Sequence, residues 1–128
     1  MSETNITTGK CMTAQSNTDG AAVTLQTCTG AASQLWVFSG SSAGGPVKIF
    51  GNKCLDVTDG KNVDGTKLQI WTCGTNNPNQ QWWYSIWDTT LSWRDHGKCV
   101  DLTDGSMTNG NKVCFSKIIR DCPIKFKL

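Results

Sequence analysis

Three short segments of this chain repeat one another at even spacing: Gly9-Lys10-Cys11, Asn52-Lys53-Cys54 and Gly97-Lys98-Cys99, with their cysteines 43 and 45 positions apart. A period of about 44 residues marks a repeat architecture, in which a single unit cannot bury its own apolar face and must close a core with its neighbours. The second segment continues Cys54-Leu55-Asp56-Val57-Thr58-Asp59-Gly60 and the third Cys99-Val100-Asp101-Leu102-Thr103-Asp104-Gly105. The first departs with Cys11-Met12-Thr13-Ala14 and returns to Asp19-Gly20 further on.

The first two repeats then run through short β-branched stretches, Ala22 to Cys28 and Lys67 to Cys73, into a polar turn and a Gln-x-Trp: Gln34-Leu35-Trp36 and Gln80-Gln81-Trp82. In a strand, residues two apart share a face, so each Gln and Trp project to the same side. Trp36 and Trp82 are expected to fill the core, with each Gln amide satisfying buried backbone groups. Thirteen glycines, many turn residues and no i, i+3, i+4 apolar pattern point to an all-β chain.

A length of 128 residues fits one domain, expected over 1–128, with repeats at roughly 1–45, 46–90 and 91–128. A charged fraction of 17% and a net charge of +2 do not provide the dense basic surface that binds nucleic acid. No apolar run of about twenty residues is present to insert into a membrane. Six of the aromatics are Trp, which suits a ligand with faces to stack on. Seven cysteines favour an oxidising, extracellular setting, and Asn5-Ile6-Thr7 is a glycosylation sequon there. The segment Met1 to Thr8 lacks the basic and apolar regions of a secretory leader, so a cytoplasmic location stays open.

The Cys-Leu-Asp-Val, Gln-Ile-Trp-Thr-Cys and Asn-Gln-Gln-Trp elements resemble those of ricin B-type lectin domains, which also occur as carbohydrate-binding modules on glycoside hydrolases. The resemblance covers two full repeats and the first half of the third. It implies a β-trefoil of three pseudo-symmetric repeats, with one potential sugar pocket in each. The same alignment implies the disulfides Cys11–Cys28 and Cys54–Cys73, and it leaves Cys99 to pair with Cys114 or Cys122.

In the ricin-type pattern Asp56 accepts hydroxyl hydrogens, Gln69 and Trp71 supply an amide and a stacking platform, and Asn79 and Gln80 complete the site. Such a pocket needs a carboxylate for vicinal hydroxyls, an amide that both donates and accepts, and an aromatic face under the sugar's C–H side. The first repeat has Thr13, Thr24, Gln26 and Ser33 at these places, and the third keeps Asp101 but has Cys114 and Ser116. One main site, in the second repeat, is therefore expected. The partners implied are glycans bearing galactose, N-acetylgalactosamine or xylose-type sugars, and a homo-oligomer is an open possibility.

The third repeat carries no Gln-x-Trp, which leaves Phe126 or Leu128 to take the core place held elsewhere by Trp36 and Trp82. The Asp-Gly pairs at Asp19, Asp59, Asp64 and Asp104 read as turns, and no nucleophile motif accompanies them, so no catalytic residues are expected. No Cys-x-x-Cys occurs and His96 stands alone, so neither a metal nor another cofactor is expected. Two alternatives remain: an accessory module of a glycoside hydrolase, or a protease-binding trefoil using the loop Gly40 to Pro46.

Overall fold

The computed structural model describes residues 2–3, 5–7, 9–38, 43–117, 122 and 124–126, and of residues 2–3 and 5–7 only the backbone. In chain order the strands are Ser2–Glu3 (β1), Asn5–Thr7 (β2), Lys10–Ala14 (β3), Val23–Thr27 (β4), Leu35–Phe38 (β5) and Val47–Ile49 (β6). They continue as Lys53–Val57 (β7), Leu68–Thr72 (β8), Trp82–Tyr84 (β9), Leu91–Trp93 (β10), Lys98–Leu102 (β11) and Val113–Lys117 (β12). Among the described residues the only helical segments are single 3-10 turns.

Three antiparallel hairpins repeat one register. Cys11 lies opposite Gln26, Cys54 opposite Trp71 and Cys99 opposite Ser116, and two residues on, Thr13 faces Thr24, Asp56 faces Gln69 and Asp101 faces Cys114. Val, Ile, Leu and Phe alternate inward along β4, β8 and β12, as a half-buried pleated strand requires.

The hairpins close into a ring. Gly20 donates to the carbonyl of Ile70 at 2.8 Å, Gly65 to that of Phe115 at 2.9 Å, and Gly110 to that of Leu25 at 2.8 Å. The return bonds run from Leu25 N to Asn111 O, from Ile70 N to Ala21 O and from Phe115 N to Thr66 O. Each hairpin thus completes the next, and the third completes the first. The architecture is a β-trefoil.

A side-chain ring lies over this backbone ring. Lys53 donates to Asp19 of the preceding repeat at 2.7 Å, Lys98 to Asp64, and Lys10 to Asn109. The Lys-Cys segments and the Asp-Gly or Asn-Gly turns, separate in sequence, are here the two halves of one contact.

The core gathers Met12, Leu55 and Val100 from β3, β7 and β11, and Leu25, Ile70 and Phe115 from their partners. Trp36 and Trp82 are buried with them, their indoles donating to the carbonyls of Met12 (2.9 Å) and Leu55 (3.0 Å). Phe126 is buried in the same cluster, an aromatic ring near the end of the third repeat that itself carries no indole donor. Leu128 lies outside the described residues.

Cys11–Cys28 and Cys54–Cys73 are bonded, and the third bridge is Cys99–Cys122. Of the two choices open to Cys99, Cys114 is removed by the hairpin itself: it is buried on β12 opposite Asp101, and its thiol is free. Closing loops of 17 to 23 residues is worth about 3 kcal/mol for each bridge.

Candidate functional site

Asp56 sits one residue before the end of β7 and is 5% exposed, with Gln69 directly opposite on β8. Gln69 donates from Nε2 to Asp56 Oδ1 at 3.0 Å, and Gln80 donates from Nε2 to Oδ2 at 2.9 Å. Each carboxylate oxygen therefore holds one amide and keeps a lone pair for a further donor. Burial pushes the Asp56 carboxyl above its ordinary pKa, and the two amide bonds only partly oppose this.

Gln80 is completely buried. Its second amide hydrogen goes to Thr72 O at 3.2 Å, and its Oε1 accepts from Gly74 N at 2.9 Å. Gln34 makes the same set in the first repeat, to Thr13 Oγ1, Thr27 O and Thr29 N. Gln80 is thus a clamp that ties β7 to the loop after β8 and orients Asp56 from beneath.

Asp56, Gln69, Trp71 and Asn79 line one shallow cavity of about 220 Å³, together with Asp59 and Asn77. Trp71 is 45% exposed and presents a ring to it, lying against the turn of the first repeat, where a Cβ on Gly20 would be 3.7 Å from the ring. Asn79 is seated on Gly60. A Cβ there would come within 2.9 Å of its Oδ1, so glycine lets the Asn79 amide pack down on the Thr58–Gly60 turn. Asn77 fixes the loop by accepting from Asn79 N at 3.0 Å. The arrangement offers an acceptor carboxylate, two amides and a half-exposed aromatic face in one open depression.

The sequence reasoning assigned Asp59 only to a turn. Its φ of 56° does mark a turn, and that turn brings it to the cavity wall. The signal that would have found it is its place three residues after Asp56, where the strand ends in a tight 3-10 turn and doubles back.

The corresponding places in the other repeats are filled differently. In the third, Asp101 accepts from Ser116 Oγ at 2.8 Å and from Leu102 N at 2.7 Å, and Ser116 stands where β8 carries Trp71. In the first, Thr13 donates to the Cys11 carbonyl and no carboxylate is present. Trp93 is buried and stacked on His96 with ring centroids 3.6 Å apart. Half of the six tryptophans are therefore core residues, and Trp71, Trp83 and Trp87 are exposed. Of the loop expected to reach proteases, residues 40–42 lie outside the described residues. Among the described residues no group of three or more metal-ligating side chains occurs.

The ricin-type beta-trefoil lectin domain family matches residues 3–121 of the chain. Nigrin b of Sambucus nigra is 49% identical over 39 residues, which are 30% of this chain and 7% of Nigrin b. The designed three-fold symmetric protein ThreeFoil superposes with a TM-score of 0.80 at 23% identity, covering 92% of this chain and 90% of its own. The exo-beta-1,3-galactanase 1,3Gal43A of Clostridium thermocellum superposes with a TM-score of 0.79 at 25% identity, over 94% of this chain and 28% of the enzyme. The chain thus spans only a small part of both Nigrin b and the galactanase.

Proposed function

From the premise that the chain belongs to the ricin-type β-trefoil lectin domain family, we propose that it binds galactose-type sugars on glycans through one main site in the second repeat. The observation that carries this reading is the pairing of Asp56 with Gln69 and Gln80 beneath the half-exposed ring of Trp71.

The chemistry follows from that geometry. Two vicinal hydroxyls donate to the free lone pairs of the Asp56 oxygens. The Gln69 and Asn79 amides exchange hydrogen bonds with neighbouring hydroxyls, and the C–H face of the pyranose stacks on Trp71. Gln80 positions Asp56 and does not touch the sugar. Galactose fits because its axial 4-hydroxyl and equatorial 3-hydroxyl converge on one side of the ring, where a single carboxylate reaches both. The likeness to a galactanase supports the same sugar class and equally a role as an accessory module beside a catalytic domain. In this reading Asp56 serves as a hydrogen-bond acceptor for the sugar, held in place by Gln69 and Gln80.

An open site with one stacking face gives a dissociation constant on the order of 0.1–1 mM, or about 4–5.5 kcal/mol. Useful strength then requires several copies or a dense glycan surface. Calorimetry with galactose should give one site per chain in the wild type and no measurable heat with Asp56→Ala. Two or three equivalent sites, or unchanged binding in the variant, would exclude the second repeat as the main site.

A further inference from the structure

The loop from Cys73 to Asn79 has a second side. Asn77 and Asn79 face the Asp56 cavity, while Cys73, Gly74, Thr75 and Asn76 line a separate groove of about 480 Å³. Gly44, Gly45, Pro46, Lys48, Gln81 and Arg94 line it as well. We propose that this groove is a second saccharide subsite, selective for a sugar residue that carries a carboxylate or a sulfate; the proposal rests on the reading of the chain as a sugar-binding module.

Charge is the first argument. Lys48 and Arg94 both line the groove, and no Asp or Glu does. Lys48 is exposed and forms no ion pair among the described residues. Arg94 uses one amino nitrogen to donate to the Ala43 carbonyl at 3.1 Å, and exposed Asp95 lies 3.8 Å from its Nε. Those contacts leave guanidinium donors over. Charge-assisted bonds from both cations suit a planar carboxylate or a sulfate.

The second argument is the aromatic at the rim. Trp83 is 40% exposed, and its indole donates to the same Ala43 carbonyl at 3.1 Å. Its ring lies on Gly44, where a Cβ would come within 2.5 Å of Cδ1 and 2.7 Å of the Trp82 carbonyl. Gly44 has φ +86°, so both its backbone and the space above it exclude other residues. The ring is thereby held next to the groove wall at Gly44, sharing the Ala43 carbonyl with Arg94 and partly open to solvent. Gln81 adds an amide anchored to Asn77 O at 3.3 Å, which links the groove to the loop it shares with the first site.

The test uses the full chain labelled with nitrogen-15, following the separate indole signals of Trp71 and Trp83 while galactose, glucuronic acid or galactose 6-sulfate is added. The charged sugars should move Trp83 and the Arg94 Nε signal, and should bind roughly three- to tenfold tighter there than galactose does. That preference should disappear in Lys48→Gln and in Arg94→Gln, and at high salt, while the response of Trp71 to galactose persists in both variants. Glucuronic acid and galactose 6-sulfate separate the carboxylate source from the sulfate source. Charged sugars that leave Trp83 unmoved, or that bind Lys48→Gln as they bind the wild type, would overturn the proposal. A response at Trp83 with none at Trp71 would uphold the groove and reject the Asp56 site.

Discussion

Gln80, with no surface open to solvent, donates from Nε2 to Oδ2 of Asp56 at 2.9 Å. Gln34 makes the matching donation to Thr13 at 3.1 Å in a repeat that lacks the carboxylate. One amide thus serves the fold in both repeats and the site in only one. Gln80→Ala should therefore cost stability and sugar affinity together, whereas Gln34→Ala should cost stability alone. Each buried group left without a partner costs about 1–3 kcal/mol. Denaturant melts paired with galactose titrations of the two variants check this, and equal losses of affinity would contradict it.

Trp71 and Trp82 are expected to separate in the opposite way. Trp82 is buried with its indole on the Leu55 carbonyl, and its truncation to Ala should cost about 3–5 kcal/mol. Trp71 is half exposed, so Trp71→Ala should change stability by less than about 1 kcal/mol and reduce galactose affinity at least about tenfold. Thermal melts and titrations on both proteins decide between this assignment and its reverse.

The three-repeat layout and the core places of Trp36 and Trp82 were legible in the sequence because they rest on local signals recurring at a fixed period, whereas Trp93, outside any Gln-x-Trp, gave no such signal of its burial. Gly20, Gly65 and Gly110 could be read as turn glycines from the Asp-Gly or Asn-Gly pairs. Their bonds to Ile70, Phe115 and Leu25 could not, since these arise only when the ring closes. The same holds for the reach of Lys53 to Asp19 and of Lys98 to Asp64. Asp56, Gln69, Trp71 and Asn79 were readable as a motif. The complete burial of Gln80 and the arrival of Asp59 at the cavity wall depend on how the loop after β8 packs against the turn after β7.

Binding should fail on acidification before the fold does. Burial raises the Asp56 pKa, so as pH falls from about 7 to about 4 the carboxylate is lost earlier than an exposed one would be, and its acceptor capacity goes with it. For stability the sign is reversed. A carboxyl whose folded pKa lies above its unfolded value holds its proton more tightly when folded, so its ionisation disfavours the fold as pH rises through that pKa. Asp19 and Asp64 oppose this. Hydrogen bonds from Lys53 and Lys98 hold their pKa values below the ordinary range, so they contribute stability above that range which is lost as pH falls through the depressed values. Galactose titrations and thermal melts over the same pH series should therefore show affinity falling first.

Sugar affinity should be unchanged by a chelator. Calcium takes about six to eight oxygens, and the cavity offers two carboxylates, one of which already holds two amides. Titration with galactose in EDTA and then in excess calcium tests this, and a fall in affinity under EDTA would require ligands beyond Asp56 and Asp59.

The closure of the third hairpin onto the first, through Gly110 and Leu25, sets how this chain comes apart. In an open array each unit leans only on its neighbours, so the ends fray and the middle survives. A ring has no ends. The contact that seals it joins residues 25 and 110, whose intervening chain must be ordered before the bond can form, so formation should be slow and loss should be collective. A fragment holding one or two of the hairpins would leave donors and acceptors of the seal without partners. Gln69 and Trp71 flank Ile70 on the strand that makes one set of these ring bonds, so that wall of the Asp56 cavity is tied to the seal, whereas Asn77 and Asn79 sit on the loop beyond it. The first and third repeats, which carry Thr13 and Ser116 where the second has Asp56 and Trp71, make the same ring bonds, so closure does not depend on those side chains.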